Sequence, residues 1–224
     1  MHLNRLHLHH VRNLSEILIH PTANFNIFVG KNGSGKTSLL EAIHLLALGR
    51  SFRSRQTHSV IAYEADALSC FGEVEEAGQK TPMGIEKNRL GEVKCKIAGE
   101  ICSRLSQLAT LLPVQLITPD TFKLLMGASE ERRRFLDWGV FHVEHSFGAC
   151  CQRYQRLLKQ RNAALKHPRN GSPSIWEKEL AEVGEKITFY RKEYLKDLLP
   201  AIQIILKRLL PTLNLQVQYL NGWD

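Results

Sequence analysis

The sequence contains no apolar run near the roughly 18 residues that a membrane-spanning helix requires. Its first residues, Met-His-Leu-Asn-Arg, also lack the apolar core of a secretory signal peptide. Glycine and proline are used at ordinary levels, and hydrophobic residues make up 43% of the 224 positions, which excludes fibrous and disordered classes. We therefore expect a soluble, cytoplasmic protein with a sizeable core and no membrane partner.

Cysteine is scarce, and its five positions show no CxxC spacing. An odd count without paired spacing argues against a disulfide framework, and the adjacent Cys150 and Cys151 cannot crosslink distant parts of a fold. We predict a reducing compartment and free thiols, buried as small apolar side chains, at Cys70, Cys95, Cys102, Cys150 and Cys151.

Basic residues exceed acidic ones by 30 to 22, and the excess lies in two parts of the chain. Residues 1–59 contain seven basic and two acidic side chains, and residues 132–169 contain nine and two. This asymmetry is typical of a chain with a polyanionic partner. Nucleotide phosphate accounts for part of the first excess, and nucleic acid is a candidate partner for the second. A basic surface that is merely solvated is the alternative.

Alternation of apolar and polar residues predicts strands in the first half of the chain. The expected strands cover residues 3–11, 16–20, 24–29, 67–75, 82–87 and 92–98. A helix is predicted to begin near Lys36 and to end at Gly49. Its expected apolar stripe consists of Leu39, Leu40, Ile43, Leu46 and Ala47.

A change to helical periodicity follows a short buried strand that is predicted at 114–118 and ended by Pro119. The expected helices cover residues 129–143, 147–167 and 174–209. Alternation returns at 213–220, so we expect the chain to re-enter the sheet there. These patterns predict an α/β lobe at 1–118, a helical lobe at 119–210 and the start of a return to the first lobe at 211–224.

Residues 30–37 read Gly-Lys-Asn-Gly-Ser-Gly-Lys-Thr, which matches the phosphate-loop pattern G-x-x-x-x-G-K-[ST] between a predicted strand and a predicted helix. The three glycines allow backbone N–H groups to surround phosphate oxygens, where a Cβ would clash or forbid the required φ angle. The start of the helix adds partial positive charge. We expect Lys36 to reach the β- and γ-phosphates of ATP and Thr37 to offer its hydroxyl to Mg²⁺.

Hydrolysis of ATP also requires an acidic residue at the end of a buried apolar strand, the Walker B motif. The chain has five aspartates, and none follows the required run of apolar residues: Asp66, Asp120, Asp137, Asp197 and Asp224. We therefore expect this chain to be the N-terminal part of a longer protein, without the C-terminal part of its ATPase lobe.

Several sequence blocks together resemble the bacterial RecF family of DNA repair and recombination proteins. They are Val11-Arg-Asn-Leu14, the phosphate loop with its helix, Gly49-Arg-Ser-Phe-Arg53, Gln115-Leu-Ile-Thr-Pro-Asp120 and Arg133-Arg-Phe-Leu-Asp-Trp-Gly139. The resemblance extends from residue 1 to the end of the chain. It implies an α/β fold of the ABC-type ATPase head, similar to those of SMC and Rad50 proteins, with a mixed sheet, helices and a mainly helical second lobe.

The same resemblance implies cofactors and partners. ATP and Mg²⁺ are the implied cofactors, and the implied assembly is an ATP-dependent homodimer on duplex DNA or at junctions of single- and double-stranded DNA. The implied role is to act with RecR- and RecO-type mediators in loading the RecA recombinase at gaps.

The resemblance also implies roles for individual residues. Gln115 is implied as the residue that faces Mg²⁺ and the attacking water, so Lys36 and Gln115 form the implied catalytic pair. Arg12 is implied near the nucleotide, although an ordinary solvated turn arginine fits the residues equally well. The implied nucleotide-binding set is Arg12, Gly30, Lys31, Asn32, Gly33, Ser34, Gly35, Lys36, Thr37 and Ser38, with Thr37 and Gln115 at Mg²⁺.

Two clusters of basic residues lie in the second half. Arg132, Arg133 and Arg134 follow Glu130 and Glu131, so at least one of these arginines is expected to form an intrahelical ion pair. The longer run between 153 and 169 has scarcely an acidic residue within it and is suited to DNA phosphates, but a solvated helix face is equally consistent. The DNA contacts predicted from this run are Arg153, Arg156, Lys159 and Arg161.

Five histidines near the N-terminus suggest a metal site: His2, His7, His9, His10 and His20. A strand places His7 and His9 on the face opposite His10, and the sequence shows no cysteine or acidic cluster beside them. We therefore favour solvated strand faces over metal binding.

Two functional interpretations remain. The motif series favours the N-terminal part of an ABC-type ATPase that acts on DNA in recombinational repair. The missing Walker B motif favours, for this chain alone, a nucleotide-sensing module that binds DNA or protein without turnover. A small-molecule kinase is poorly supported, because no arginine-rich lid follows the phosphate loop.

Overall fold

The computed structural model describes residues 1–54, 56–166, 174–213 and 216–221. The chain divides into two compact units, Met1–Ile117 and Thr118–Asp224. The first contains all the described strands, and the second contains helices.

The first unit is built on a six-stranded sheet whose described neighbours all pair antiparallel, in the spatial order β2-β1-β3-β4-β5-β6. Five of the eight predicted strands are confirmed. The strands are β1 His2–Val11, β2 Leu14–Ile19, β3 Ala67–Glu76, β4 Gln79–Asn88, β5 Val93–Ile97 and β6 Glu100–Ile101. Their alternating pattern gives the sheet one buried face, to which β1 contributes Leu6 and Leu8 and β3 contributes Leu68 and Val74.

Helix α1, Lys36–Leu48, covers this buried face and ends at Gly49, as predicted. Leu39, Leu46 and Ala47 of the expected stripe are buried and Ile43 packs against the core, whereas Leu40 is exposed. Gly72 of β3 permits close approach of the helix, because a Cβ there would lie 2.6 Å from Leu46 Cδ2. A second short helix, α2 (Ser106–Leu111), packs beside α1.

Three predicted strand segments have no strand pairing in the described part of the chain, and these predictions are wrong: 24–29, 114–118 and 213–220, of which 213 and 216–220 are described. Phe25, Ile27 and Val29 alternate as expected but are 85 to 90% exposed. A β-strand requires a neighbour that completes its backbone hydrogen bonds, and none of the described residues supplies one here. The apolar alternation at 24–29 is therefore present, but no described residue pairs with this segment.

Three helices of the second unit closely follow the predicted bounds. They are α4 Ser129–Val143, α5 Phe147–Lys166 and α6 Ser174–Leu209. A 3-10 turn at Pro119–Phe122 and a short helix, α3 Lys123–Met126, come before them and were not predicted. Val140, Phe147 and Ile187 form a small core among the last three helices. The expected intrahelical pair is confirmed, because Arg134 Nη2 lies 2.6 Å from Glu130 Oε1.

The block Arg133–Gly139 has a structural role in this unit. Arg191 of α6 donates two hydrogen bonds to Asp137 of α4, at 2.7 and 2.9 Å. Gly139 lets the two helices approach, because a Cβ at that position would overlap the Tyr194 hydroxyl. This part of the RecF-like pattern thus joins α4 to α6.

All five cysteines are free, as predicted. Cys70 and Cys95 are buried as expected, whereas Cys102, Cys150 and Cys151 are only half-buried, so the prediction of burial is wrong for these three. Burial raises the pKa of Cys70 to about 12, so it stays a thiol at neutral pH. In the part of the chain that the structure describes, no helix combines the length and the apolar character that a membrane crossing demands.

Candidate nucleotide-binding site

The phosphate loop at 30–37 leads directly into α1. Gly33 and Gly35 have φ angles of 82° and 94°, in the left-handed region that favours glycine. Gly35 is also the residue that precedes the helix, and its carbonyl accepts the first helical hydrogen bond, from Leu39 N at 2.8 Å. These two glycines therefore fix the path by which the loop enters the helix.

Lys36 holds the interior of the loop. Its Nζ donates to the carbonyl oxygens of Gly30 and Lys31, each at 2.7 Å. Two charge-assisted hydrogen bonds thus place the ammonium group among the backbone atoms of the loop.

The N-terminal end of α1 fits an anionic ligand. No side chain caps it, and its first turn has no acidic residue that would repel phosphate. The side chain of Thr37 is exposed at this end, whereas that of Ser38 is buried and donates to Asn13 Oδ1 at 2.8 Å. The loop amides, Lys36 and Thr37 therefore suit a triphosphate with Mg²⁺, and the Ser38 hydroxyl is already engaged by the protein.

The turn between β1 and β2, formed by Arg12 and Asn13, braces the loop. Asn13 Nδ2 donates to Gly33 O at 2.9 Å, and Asn13 Oδ1 accepts the Ser38 bond. Leu14 lies directly beneath Gly35, where a Cβ would stand 2.5 Å from Leu14 Cδ2. The brace turn thus contacts the loop at its glycine-rich centre and at its helical end.

Arg12 is directed to a carboxylate of α1. Its Nε and Nη2 donate to the two oxygens of Glu41 at 3.0 and 2.8 Å, and its Nη1 donates to Ser59 O. Glu41 is fully buried. Arg12 therefore adjoins the loop through the brace turn, and within the described structure its guanidinium is committed to Glu41.

Glu41 also binds the block that follows α1. Ser51 Oγ donates to Glu41, and Arg53 lies 3.6 Å from it. Burial opposes ionisation of Glu41, but the hydrogen bonds from Arg12 and Ser51 and the charges of Arg12 and Arg53 outweigh it, so the pKa of Glu41 lies below its ordinary value. His44 anchors the same block through a 2.7 Å hydrogen bond between Nδ1 and Arg50 O.

The other predicted site residues are not brought to the loop by contacts in the described structure. Gln115 is exposed in a segment without helix or strand, and no hydrogen bond between described residues joins it to 30–37. The predicted DNA contacts all lie on α5, in the second unit. Arg153 Nε is 2.6 Å from Glu179 Oε1 and Arg161 Nη2 is 3.2 Å from Glu177 Oε1, whereas Arg156 and Lys159 are exposed.

Sequence reasoning missed Asn13, Glu41 and Ser51. Glu41 had a usable signal, because it is the one acidic residue within the apolar sequence of α1, and a carboxylate on a buried face needs a cationic partner. Asn13 and Ser51 carried no such signal beyond their place in the RecF-like blocks. Asn13 contacts Ser38, 25 positions away, and Ser51 contacts Glu41, 10 positions away, so no local pattern reveals these contacts.

Comparison with known proteins agrees with this geometry. Residues 2–205 match the RecF/RecN/SMC N-terminal domain family. The chain is 47% identical over its whole length to a DNA replication and repair protein RecF of Stutzerimonas stutzeri and 46% identical to one of Pseudomonas fluorescens, and it spans 61% and 62% of their lengths.

Solved structures show the same fold. A structure described as the recombination mediator protein RecF with ATP superposes with a TM-score of 0.82 at 24% identity, over 93% of this chain and 58% of that one. A structure of an SMC ATPase gives 0.51 at 17% identity, over 62% of this chain and 99% of that one. The predicted fold class, an ATPase-head α/β unit with a helical second unit, is confirmed. The expected resemblance to RecF is likewise confirmed, and the chain belongs to the RecF/RecN/SMC N-terminal domain family.

Proposed function

We propose that this chain is the ATP-binding, DNA-associated N-terminal part of a RecF-type recombinational repair protein in the cytoplasm. The observation that carries the proposal is the phosphate loop itself, with Lys36 hydrogen-bonded to its backbone and the brace turn bonded to Gly33. In this proposal residues 1–118 form the N-terminal part of the ATPase lobe, 119–210 the helical lobe, and 211–224 the start of the return to the first lobe.

Mg²⁺ and the triphosphate would be held by the N-terminal end of α1. The backbone of residues 30–35 and the Lys36 ammonium would bind the phosphates, and Arg12 would act through the loop that its turn supports. Thr37, with its exposed side chain, and Gln115 are the proposed side chains at Mg²⁺. In such a protein, the γ-phosphate of bound ATP would distinguish the ATP-bound state from the state after hydrolysis. Similarity to RecF supports an ATP-dependent homodimer that works with RecR and RecO at DNA gaps.

The exposed strand-like segments favour a longer protein as the working form. Phe25, Ile27 and Val29 present alternating apolar side chains next to the phosphate loop, and the RecF relatives extend well beyond the matched length. We propose that residues beyond the matched part of such a protein pair with these segments and supply the Walker B acid.

ATP hydrolysis by the 224-residue chain is expected at background rate. Glu41, the acidic residue nearest the loop along the chain, is engaged by Arg12 and Ser51, and no aspartate follows an apolar strand. Phosphate release measured with Mg²⁺ and ATP checks this. A steady turnover that disappears in Lys36→Ala would contradict it and favour an acid supplied from elsewhere in the chain.

Of the four predicted DNA contacts, Arg156 and Lys159 are the better placed, because Arg153 and Arg161 already pair with acidic residues of α6. Reversal of both in Arg156→Glu/Lys159→Glu is expected to weaken binding to every duplex sequence alike. The log–log dependence of affinity on salt should become shallower by about two units, roughly one for each lost phosphate contact. Fluorescence anisotropy at several salt concentrations, with ATP and Mg²⁺ present, measures this slope.

A matched control is Lys192→Glu/Lys207→Glu, which makes the same charge change at two exposed lysines of α6. It should leave the slope close to that of the unaltered chain. If the α5 variant keeps the slope but loses self-association in sedimentation experiments, this face contacts protein instead, and the DNA assignment is wrong.

A further inference from the structure

Three side chains with metal-binding atoms converge in the first unit, on strands β1 and β2. His7 Nε2 lies 2.8 Å from Glu16 Oε1, and His9 Nε2 lies 3.8 Å from the same oxygen. The ligand atoms of all three residues lie within 4.8 Å of one another. The acidic neighbour that the sequence did not show is thus provided by the adjacent strand.

The strand geometry explains this convergence. His7 and His9 are two residues apart on β1, so they project from one face, while Leu6 and Leu8 project into the core. In the β1–β2 register His9 stands directly opposite Glu16. β1 is paired on both sides, with β2 and β3, so the backbone that carries the two imidazoles is fixed before any ligand arrives.

We propose that His7, His9 and Glu16 form a binding site for a divalent transition-metal ion of the zinc class. Two imidazoles and one carboxylate are a common protein ligand set for Zn²⁺, with a fourth position left to solvent. Mg²⁺ prefers oxygen ligands and an octahedral shell, so this set discriminates against the cation expected at the phosphate loop.

The three side chains have the freedom that metal binding requires. They are 26, 36 and 63% exposed, so an ion reaches them from solvent without displacing core residues. Glu16 Oε1 already lies near both imidazole nitrogens, so the three groups are close enough to share one ion. Both Nε2 atoms must be unprotonated to bind it.

Such an ion would connect the edge strand of the sheet, β2, to its neighbour β1. β2 is the terminal strand and pairs only with β1 in the described sheet, and the brace turn joins these two strands. A metal bridge between β1 and β2 would therefore fix the edge strand close to the turn that carries Arg12 and Asn13.

Cobalt provides a direct test, because Co²⁺ substitutes for Zn²⁺ and its absorption reports the ligands. Titration of the full chain, without nucleotide and with excess Mg²⁺, is expected to show one equivalent bound with visible bands of nitrogen and oxygen ligation. His9→Gln and Glu16→Gln should each weaken binding at least tenfold, because even the loss of a residue that only supports a metal ligand typically costs about 10–100-fold in affinity. His20→Gln, at an exposed histidine just beyond β2, should change it less than twofold.

Thermal denaturation gives a second measurement, which does not depend on the absorption of Co²⁺. Zn²⁺ should raise the melting temperature of the unaltered chain and of His20→Gln, and should not raise that of His9→Gln. Intense near-ultraviolet thiolate bands would assign the ion to cysteine and overturn the proposal. It is equally overturned if binding does not saturate at one equivalent, or if His9→Gln and Glu16→Gln bind as tightly as the unaltered chain.

Discussion

Replacement of Lys36 by alanine is expected to lower the affinity of the chain for ATP about a hundredfold, because each charge-assisted hydrogen bond contributes about 1.5–3 kcal/mol. The Lys36 ammonium lies inside the phosphate loop, 2.7 Å from the carbonyl oxygens of Gly30 and Lys31. Without it, the backbone amides and the end of α1 still attract phosphate, but the charge at the β- and γ-phosphates is lost. Isothermal titration calorimetry with Mg²⁺ and ATP measures the change.

The free energy of unfolding should change by no more than about 0.5 kcal/mol, because the hydrogen bonds of Lys36 lie in an exposed loop. Lys94→Ala is the matched control, since Lys94 lies on β5 with a side chain that is 76% exposed. It should bind ATP as the unaltered chain does. Equal ATP affinity in Lys36→Ala and Lys94→Ala, with both folded, would refute the assignment of the phosphate loop as the nucleotide site.

Features that are local in sequence were predictable. The phosphate loop, α1 and the helices α4–α6 each depend on residues a few positions apart, and their predicted and observed bounds agree closely. The failure of the predicted strand at 24–29 could not be foreseen in the same way, because strand formation depends on a neighbour that no local pattern reveals. The apolar alternation of this segment is real, but Phe25 and Ile27 are exposed.

Charge pairing between distant elements limited the site predictions as well. The basic run on α5 has scarcely an acidic residue within it, yet α6 brings Glu177 and Glu179 to Arg161 and Arg153. His7 and His9 acquired Glu16 in the same manner, through strand pairing. In both cases a sequence scan along one element missed the partner on the next.

Replacement of Glu41 by glutamine is expected to destabilise the first unit by about 2 kcal/mol, with a fall in melting temperature of about 10 °C. Glu41 is fully buried and receives two hydrogen bonds from Arg12 and one from Ser51. Glutamine keeps the shape but leaves the Arg12 guanidinium, which is 21% exposed, without a counter-charge. This residual exposure keeps the expected cost below the ~3–5 kcal/mol typical of a fully buried pair that loses one partner.

The pH dependence of this effect has a definite sign. The pKa of folded Glu41 lies below the ordinary 4.5, so its contribution to stability is complete above about pH 4.5 and disappears as the pH falls through the folded value. The difference between the unaltered chain and Glu41→Gln should therefore be constant near neutral pH and shrink below about pH 4.5. Glu76→Gln, at an exposed end of β3, should match the unaltered chain throughout.

A double-mutant cycle distinguishes the ion pair from a simple loss of packing. If the cost arises from the unpaired guanidinium, Arg12→Gln should add little in the Glu41→Gln background, because the charge that lacked a partner is removed as well. Hydrogen exchange should locate the loosening in α1 and in residues 49–54, which Glu41 holds through Ser51 and Arg53. Strictly additive effects, or loosening confined to the second unit, would show that Arg12 and Glu41 do not act as a pair and that the brace turn supports the phosphate loop through Asn13 alone.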